Sequence, residues 1–307
     1  MSAQALGHLG PRRYEVRHVT AYTYEADVTS SFGRACLRPR DTANQRVLSH
    51  AIEVSPTPDV LDEHVDAFGN FSHYLEISTP HRALTVTKTS LIEVAYPKVD
   101  LDALNRWTVA EAAAALSAEA GVNPLERATL LLASPLVALG PEVRAFAETL
   151  APPDRPLGEA IVAVTGGIFR DFAYTKGATT TRTTLPQLLA TRAGVCQDFA
   201  HLAVGVFRAV GLPARYVSGY IETSPPPGRV KLAGSDATHA WAAVMVPGGT
   251  WVDLDPTNNH LADSRYLMTA WGRDFRDVSP LKGVIFTEGA SSTLSVAVDV
   301  IRVEEET

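Results

Sequence analysis

Residues 194–223 read GVCQDFAHLAVGVFRAVGLPARYVSGYIET. Phe199, Leu202, Ala203, Val206, Phe207 and Val210 recur at three- and four-residue steps, which predicts an amphipathic helix, and Gly211 is a natural stop for it. From Ala214 the pattern changes to the β-branched and aromatic alternation of a strand. A helix followed by strands makes this half of the chain α+β, with helices first and an antiparallel sheet later. It also places Cys196 in the first helical turn, where unpaired backbone N–H groups and the positive end of the helix dipole stabilise a thiolate. The competing reading is an inert apolar filler, since free cysteine is among the most buried residue types.

Working outward, residues 14–96 hold short alternating runs such as YEVRHVTAYTYE, QRVLSHAIEVSP and ALTVTKTSLIEVAY, separated by turn signals. They predict an antiparallel β domain over 1–100. Alanine, leucine and glutamate at helical spacing then dominate LNRWTVAEAAAALSAEAG, PEVRAFAETLA and LGEAIVAVTGGIFRDF, opening a second domain over 101–307. THAWAAVMV, TWVDLD and the late TLSVAVDVIRV read as strands of that second domain.

With 307 residues, 46% hydrophobic and 20% charged, the chain can bury a large core. A net charge of −7 argues against a nucleic-acid partner or an anionic membrane surface. The longest apolar stretch, ATLLLASPLVALG at 128–140, contains Pro135 and falls short of the ~20 residues that span a bilayer. The start MSAQALGHLGPRRYEV lacks the apolar run of a secretion signal, so a cytoplasmic location is expected. Cys36 and Cys196, the two cysteines, would then stay free thiols.

A cysteine nucleophile needs a base, usually histidine, and a third group to orient the ring. Residues 236–259, DATHAWAAVMVPGGTWVDLDPTNN, supply both. On one strand His239 and Trp241 face one way while Ala240, Ala242 and Val244 face the other. If Pro247, Gly248 and Gly249 form a three-residue loop, Val246 lies opposite Thr250 and Trp241 opposite Asp255. His239 is then diagonal to Asp255 on one face, with Cβ atoms at most ~7–8 Å apart. A two- or four-residue loop would separate them. The simpler readings are a core histidine, a turn-forming Asp255 before Pro256 and a solvated Asp253. Zinc could also use Cys196, His239 and Asp255, but no CxxC-type ligand pair occurs, so no metal and no cofactor are expected. His201 lies off the helical face of Cys196.

These strings, with GRDFRDVSPLKG at 272–283, resemble the bacterial transglutaminase-like family of the papain-like thiol-enzyme superfamily. YEVRHVTAYTY, LRPRDTANQ, VSPTPD and DAFGN resemble the β-rich N-terminal domain that often precedes such a core. The resemblance implies a papain-like/transglutaminase-like core of helices plus antiparallel sheet, preceded by an antiparallel β domain. It implies Cys196 as nucleophile, His239 as base and acid, and Asp255 as the orienting residue. The implied chemistry is thiolate attack on an amide or isopeptide carbonyl of a peptide, with a thioester passing to water; the alternatives are transfer to an amine, as in a true transglutaminase, and a non-catalytic peptide-binding module. The Cys196 N–H is a candidate oxyanion donor. Tyr174 is a weaker one, for which a buried structural place is the simpler reading. Gln197 and Asp198 flank the cysteine, Asp198 being suited to the helix dipole. Trp241 either covers the histidine, walls a substrate groove or packs the core. Ala243 departs from the family pattern, in which a glutamate often follows HAW. ETSPPPGRVKLAGSD at 222–236 is either a flap or a surface connection.

Overall fold

The computed structural model describes residues 9–119, 121–223, 234, 236–289 and 291–303; the flap candidate therefore lies mostly outside the described residues. The chain opens with β1 (Arg12–Ala35), β2 (Gln45–Ser55), β3 (Val60–Val65), β4 (Phe71–Ile77) and β5 (His81–Val94). Helices α1 (Leu101–Leu104), α2 (Val109–Ala118), α3 (Pro124–Leu131), α4 (Pro141–Leu150) and α5 (Leu157–Asp171) follow. Then come β6 (Ala173–Tyr174), α6 (Leu185–Thr191), β7 (Ala193–Gly194), α7 (Cys196–Ala209), β8 (Ala214–Ile221), β9 (Thr238–Val246), β10 (Thr250–Asp255), β11 (His260–Leu261) and β12 (Tyr266–Gly272). The last elements are α8 (Phe275–Val278), β13 (Leu281–Thr287) and β14 (Ser292–Val303). This is the α+β architecture expected from the sequence.

One sheet runs β2-β5-β1-β4-β3, with β13 and β14 also paired to β1. The expectation that TLSVAVDVIRV joins the second sheet is corrected here: β14 lies antiparallel to β1 from Arg13↔Val303 to Tyr24↔Ser292. The reason is the length of β1. Its 24 residues offer an edge along which the alternating β14 places Val298 and Val300 beside the buried His18 and Val16. The second sheet runs β11-β10-β9-β8-β12.

Alternation along each strand builds three layers. Tyr14, Val16, Ile92, Val94, Val298 and Val300 of the first sheet meet Val217, Trp241, Ala243, Tyr266 and Leu267 of the second. The opposite face of β9, Ala240, Ala242 and Val244, packs with the helices, as do Phe199, Ala203, Val206 and Phe207 of α7. This helix is buried along almost its whole length, and Gly211 ends it at φ +85°. Lys88 also points inward from β5, 4.7 Å above the Tyr220 ring, with no hydrogen-bond partner for its ammonium nitrogen among the described residues. Burial, with no counter-ion among the described residues to oppose it, pushes that amine down to about 7.

Gly219 on β8 marks the tightest approach within the second sheet. A Cβ there would lie 2.0 Å from the Leu267 carbonyl oxygen and 2.8 Å from Trp241 Cη2. Gly219→Ala is therefore expected to destabilise the protein by more than ~3 kcal/mol, since backbone on one side and a buried indole on the other block relaxation. A thermal unfolding midpoint unchanged from the parent would contradict this packing.

Candidate active site

The β9–β10 hairpin fixes the first pair. Gly248 and Gly249 have φ of +95° and +70°, and the Gly249 amide donates to the Val246 carbonyl, 3.0 Å. Val246 lies opposite Thr250 and Ala242 opposite Leu254, the register of a three-residue loop. His239 and Asp255 accordingly share a face, and His239 Nε2 donates to Asp255 Oδ2 at 2.7 Å. With Nε2 so engaged, Nδ1 is the ring nitrogen left for a thiol.

The thiol comes from α7, which packs against β9 and begins at Cys196. Burial opposes charge on the His239 ring, but the Asp255 carboxylate, by charge and hydrogen bond, and then the Cys196 sulfur outweigh it and push its pKa up to about 10. Asp255 is 0% exposed. Burial opposes its ionisation too, yet His239, Asn258 and Tyr266 hold its pKa below the usual carboxylate value. The structure thus brings Cys196, His239 and Asp255 into one cluster, with Cys196 partly exposed and Asp255 sealed.

Asp255 fills two of the roles set against each other in the sequence. Its Oδ1 accepts from the Thr257 and Asn258 amides, 2.8 and 3.3 Å, closing the turn that follows Pro256. Its Oδ2 serves His239 and also accepts from Asn258 Nδ2, 2.6 Å, and Tyr266 Oη, 2.8 Å. Sequence reasoning missed Asn258 and Tyr266. DPTNN carried a signal for Asn258, because a side chain three residues after a turn-forming aspartate can fold back on it. Tyr266 carries no such signal, since it arrives from β12 on the far side of the sheet order.

Trp241 is fully buried, stacks on His239 with ring centroids 6.2 Å apart and donates from Nε1 to Asp253 Oδ1 at 2.9 Å. It covers the histidine and packs the core, which corrects the groove-wall reading. Asp253 is buried rather than solvated. Arg215, Ala243 and Asp253 stand side by side across β8, β9 and β10, so Asp253 is the acid that faces the buried Arg215.

Tyr174 is not buried: it is 52% exposed, at the end of β6, which pairs with β7 just before Cys196. Burial of part of its ring and the nearby Cys196 both raise its pKa. Asp198 is buried and accepts from the Val195 amide, 2.9 Å, and Thr179 Oγ1, 2.6 Å, tying the loop after β6 to the head of α7. Burial raises its pKa, against those two bonds. Gln197 is half-buried. His201 lies apart from the cluster; its Nε2 accepts from the Phe275 amide, 3.1 Å, and burial pushes its pKa down to about 4. Among the described residues, no group of three or more His, Cys, Asp or Glu side chains could hold a metal ion.

The first sheet reaches this cluster through Asp236. Its amide donates to the Val298 carbonyl, 3.0 Å, and its Oδ2 accepts from the Val300 amide, 2.8 Å, three residues ahead of His239.

A helix-headed cysteine beside a histidine–aspartate pair on an antiparallel hairpin is the arrangement of a papain-like thiol fold. The chain belongs to the transglutaminase-like superfamily, matching it over residues 144–256 and the bacterial transglutaminase-like N-terminal region over 14–93. It is similar to an uncharacterized protein of Mycobacterium tuberculosis, 41% identical over 316 residues that cover 99% of this chain and 97% of the relative. A crystal structure of a Cytophaga hutchinsonii protein, put forward as a cysteine protease, shares the fold with a TM-score of 0.73 at 18% identity, covering 97% of this chain and 93% of the other. A protein-glutamine gamma-glutamyltransferase of Pseudomonas aeruginosa is 38% identical over 71 residues, which cover 23% of this chain and 11% of that protein. No helix among the described residues is long and apolar enough to cross a membrane.

Proposed function

We propose that the chain is a cysteine peptidase or amidase that cleaves an amide or isopeptide bond of a peptide substrate through Cys196, His239 and Asp255. The observation that carries this reading is the His239 ring held by Asp255 through Nε2, with the Cys196 sulfur near enough to help raise the ring's pKa. The sulfur attacks the amide carbonyl, and the oxyanion that forms is met by the Cys196 N–H at the head of α7. Tyr174, exposed beside the thiol, supplies a second donor. The His239 imidazolium passes its proton to the leaving nitrogen, and the thioester remains. His239 then takes a proton from water, hydroxide attacks the thioester, and the carboxylic acid and free thiol are released. Transfer to an amine differs only in the second nucleophile. The short match to a gamma-glutamyltransferase supports that second reading, and adding a labelled primary amine to the reaction separates the two by incorporation against release of acid.

Selective alkylation tests the site without knowledge of the substrate. Cys36 is 2% exposed, and burial pushes its thiol up to about 11, so it serves as the internal unreactive control. Iodoacetamide at pH 6 is expected to modify Cys196 at least ~100-fold faster than Cys36, read by peptide mass mapping. Equal labelling of the two cysteines would remove the support for a nucleophile at 196.

A further inference from the structure

At the N-terminal end of β1, where the ends of β5 and β14 and the start of β2 converge, lies a cleft of about 710 Å³. Among the described residues its lining includes Arg12, Arg13, Arg46 and Arg302 against one acid, Glu93, on a chain whose net charge is −7. Arg13 is paired with Glu93 and Arg12 with Glu222. Arg46 and Arg302 are exposed, and neither has an ion pair or a side-chain hydrogen bond among the described residues. The volume falls within the ~300–1,000 Å³ of sites that enclose sizeable ligands, so the cleft has room for a run of residues rather than one small acid.

The cleft also adjoins the end of β8, the strand beside that of His239. Arg12 holds Glu222, the residue after β8, and Gly219 of β8 pairs with His239. Three residues of strand, about 10 Å, separate Glu222 from Gly219.

We infer that this cleft is a subsite for an acidic stretch of a peptide, whose side-chain carboxylates are gripped by Arg46 and Arg302. Arginine forks match carboxylates in pairs, which favours glutamate or aspartate over neutral side chains. The inference rests on the peptidase reading for its purpose, and its test does not require turnover. The full chain carrying Cys196→Ala is titrated with fluorescein-labelled oligoglutamate, its oligoglutamine counterpart and tripolyphosphate, followed by anisotropy.

Oligoglutamate is expected to bind, oligoglutamine to bind at least about tenfold more weakly, and the affinity to fall as salt rises. Arg46→Glu with Arg302→Glu should weaken oligoglutamate binding at least about tenfold, and the milder Arg46→Gln with Arg302→Gln should fall between. Equal binding of the glutamate and glutamine peptides overturns the inference, as does binding indifferent to both double variants. Tripolyphosphate bound through Arg46 and Arg302 where oligoglutamate is not makes the cleft a phosphate site and overturns it too. Loss of alkylation selectivity at Cys196 with acidic-peptide binding intact would instead count against the peptidase reading alone.

Discussion

Cys196→Ala is expected to abolish turnover of amide substrates, by roughly a millionfold in kcat, while leaving the fold intact. The magnitude is the scale on which removal of a triad nucleophile acts. Little stability should be lost, because the side chain is partly exposed at a helix end and alanine is a good helix residue. The measurement is acid or amine release by the variant beside its circular dichroism spectrum and unfolding midpoint. Residual activity above about one per cent with the fold intact would mean that another group performs the attack.

Asp255→Asn should be costly on two counts. The carboxylate accepts from five donors: two backbone amides on Oδ1, and His239, Asn258 and Tyr266 on Oδ2. An asparagine offers one accepting oxygen, so in either orientation its NH₂ faces donors inside a sealed site. The expected destabilisation is about 3–5 kcal/mol, the scale for breaking a buried charged pair from one side. Turnover should drop by roughly 10⁴-fold, because the ring loses the anion that holds its orientation and its charge.

The pH dependence follows from the signs. The folded value of His239, about 10, exceeds its ordinary 6.5, so its stabilisation is complete below pH 6.5 and is lost as pH rises toward 10. Asp255 is held below its ordinary 3.8, so its stabilisation is complete above that value and is lost in stronger acid. The stability gap between parent and Asp255→Asn should therefore be widest between about pH 4 and 6.5 and should narrow on the alkaline side. The alkaline limb of kcat/KM, near 10 in the parent, should move to lower pH in the variant. A gap that stays constant from pH 5 to 10 would show that Asp255 does not set the charge of the ring.

What the sequence made legible was whatever depends on local period and turn chemistry. The step pattern around Phe199 and Val206 placed α7, and PGG between two alternating runs fixed the register that puts His239 beside Asp255. What it could not show depends on which elements meet in space. Nothing local in TLSVAVDVIRV distinguishes an edge beside β1 from one beside β12, since alternating strands fit either. Tyr266 reaches Asp255 only because β12 folds across, and Asp253 looks like a solvated strand residue until Arg215 and Trp241 close over it. The arginine cleft was equally invisible, being assembled from the ends of four strands far apart in the chain.

The pairing of β14 with β1 carries a consequence for anyone dividing this protein. A fragment covering only the first five strands would expose the backbone of β1 from Arg13 to Tyr24, twelve consecutive residues of unprotected edge. Such an edge is a template for intermolecular addition of strands, so the isolated piece would aggregate rather than stand alone. The sheet is sealed only after nearly all of the intervening polypeptide has been synthesised, which makes slow, late-closing assembly an inherent property of this topology.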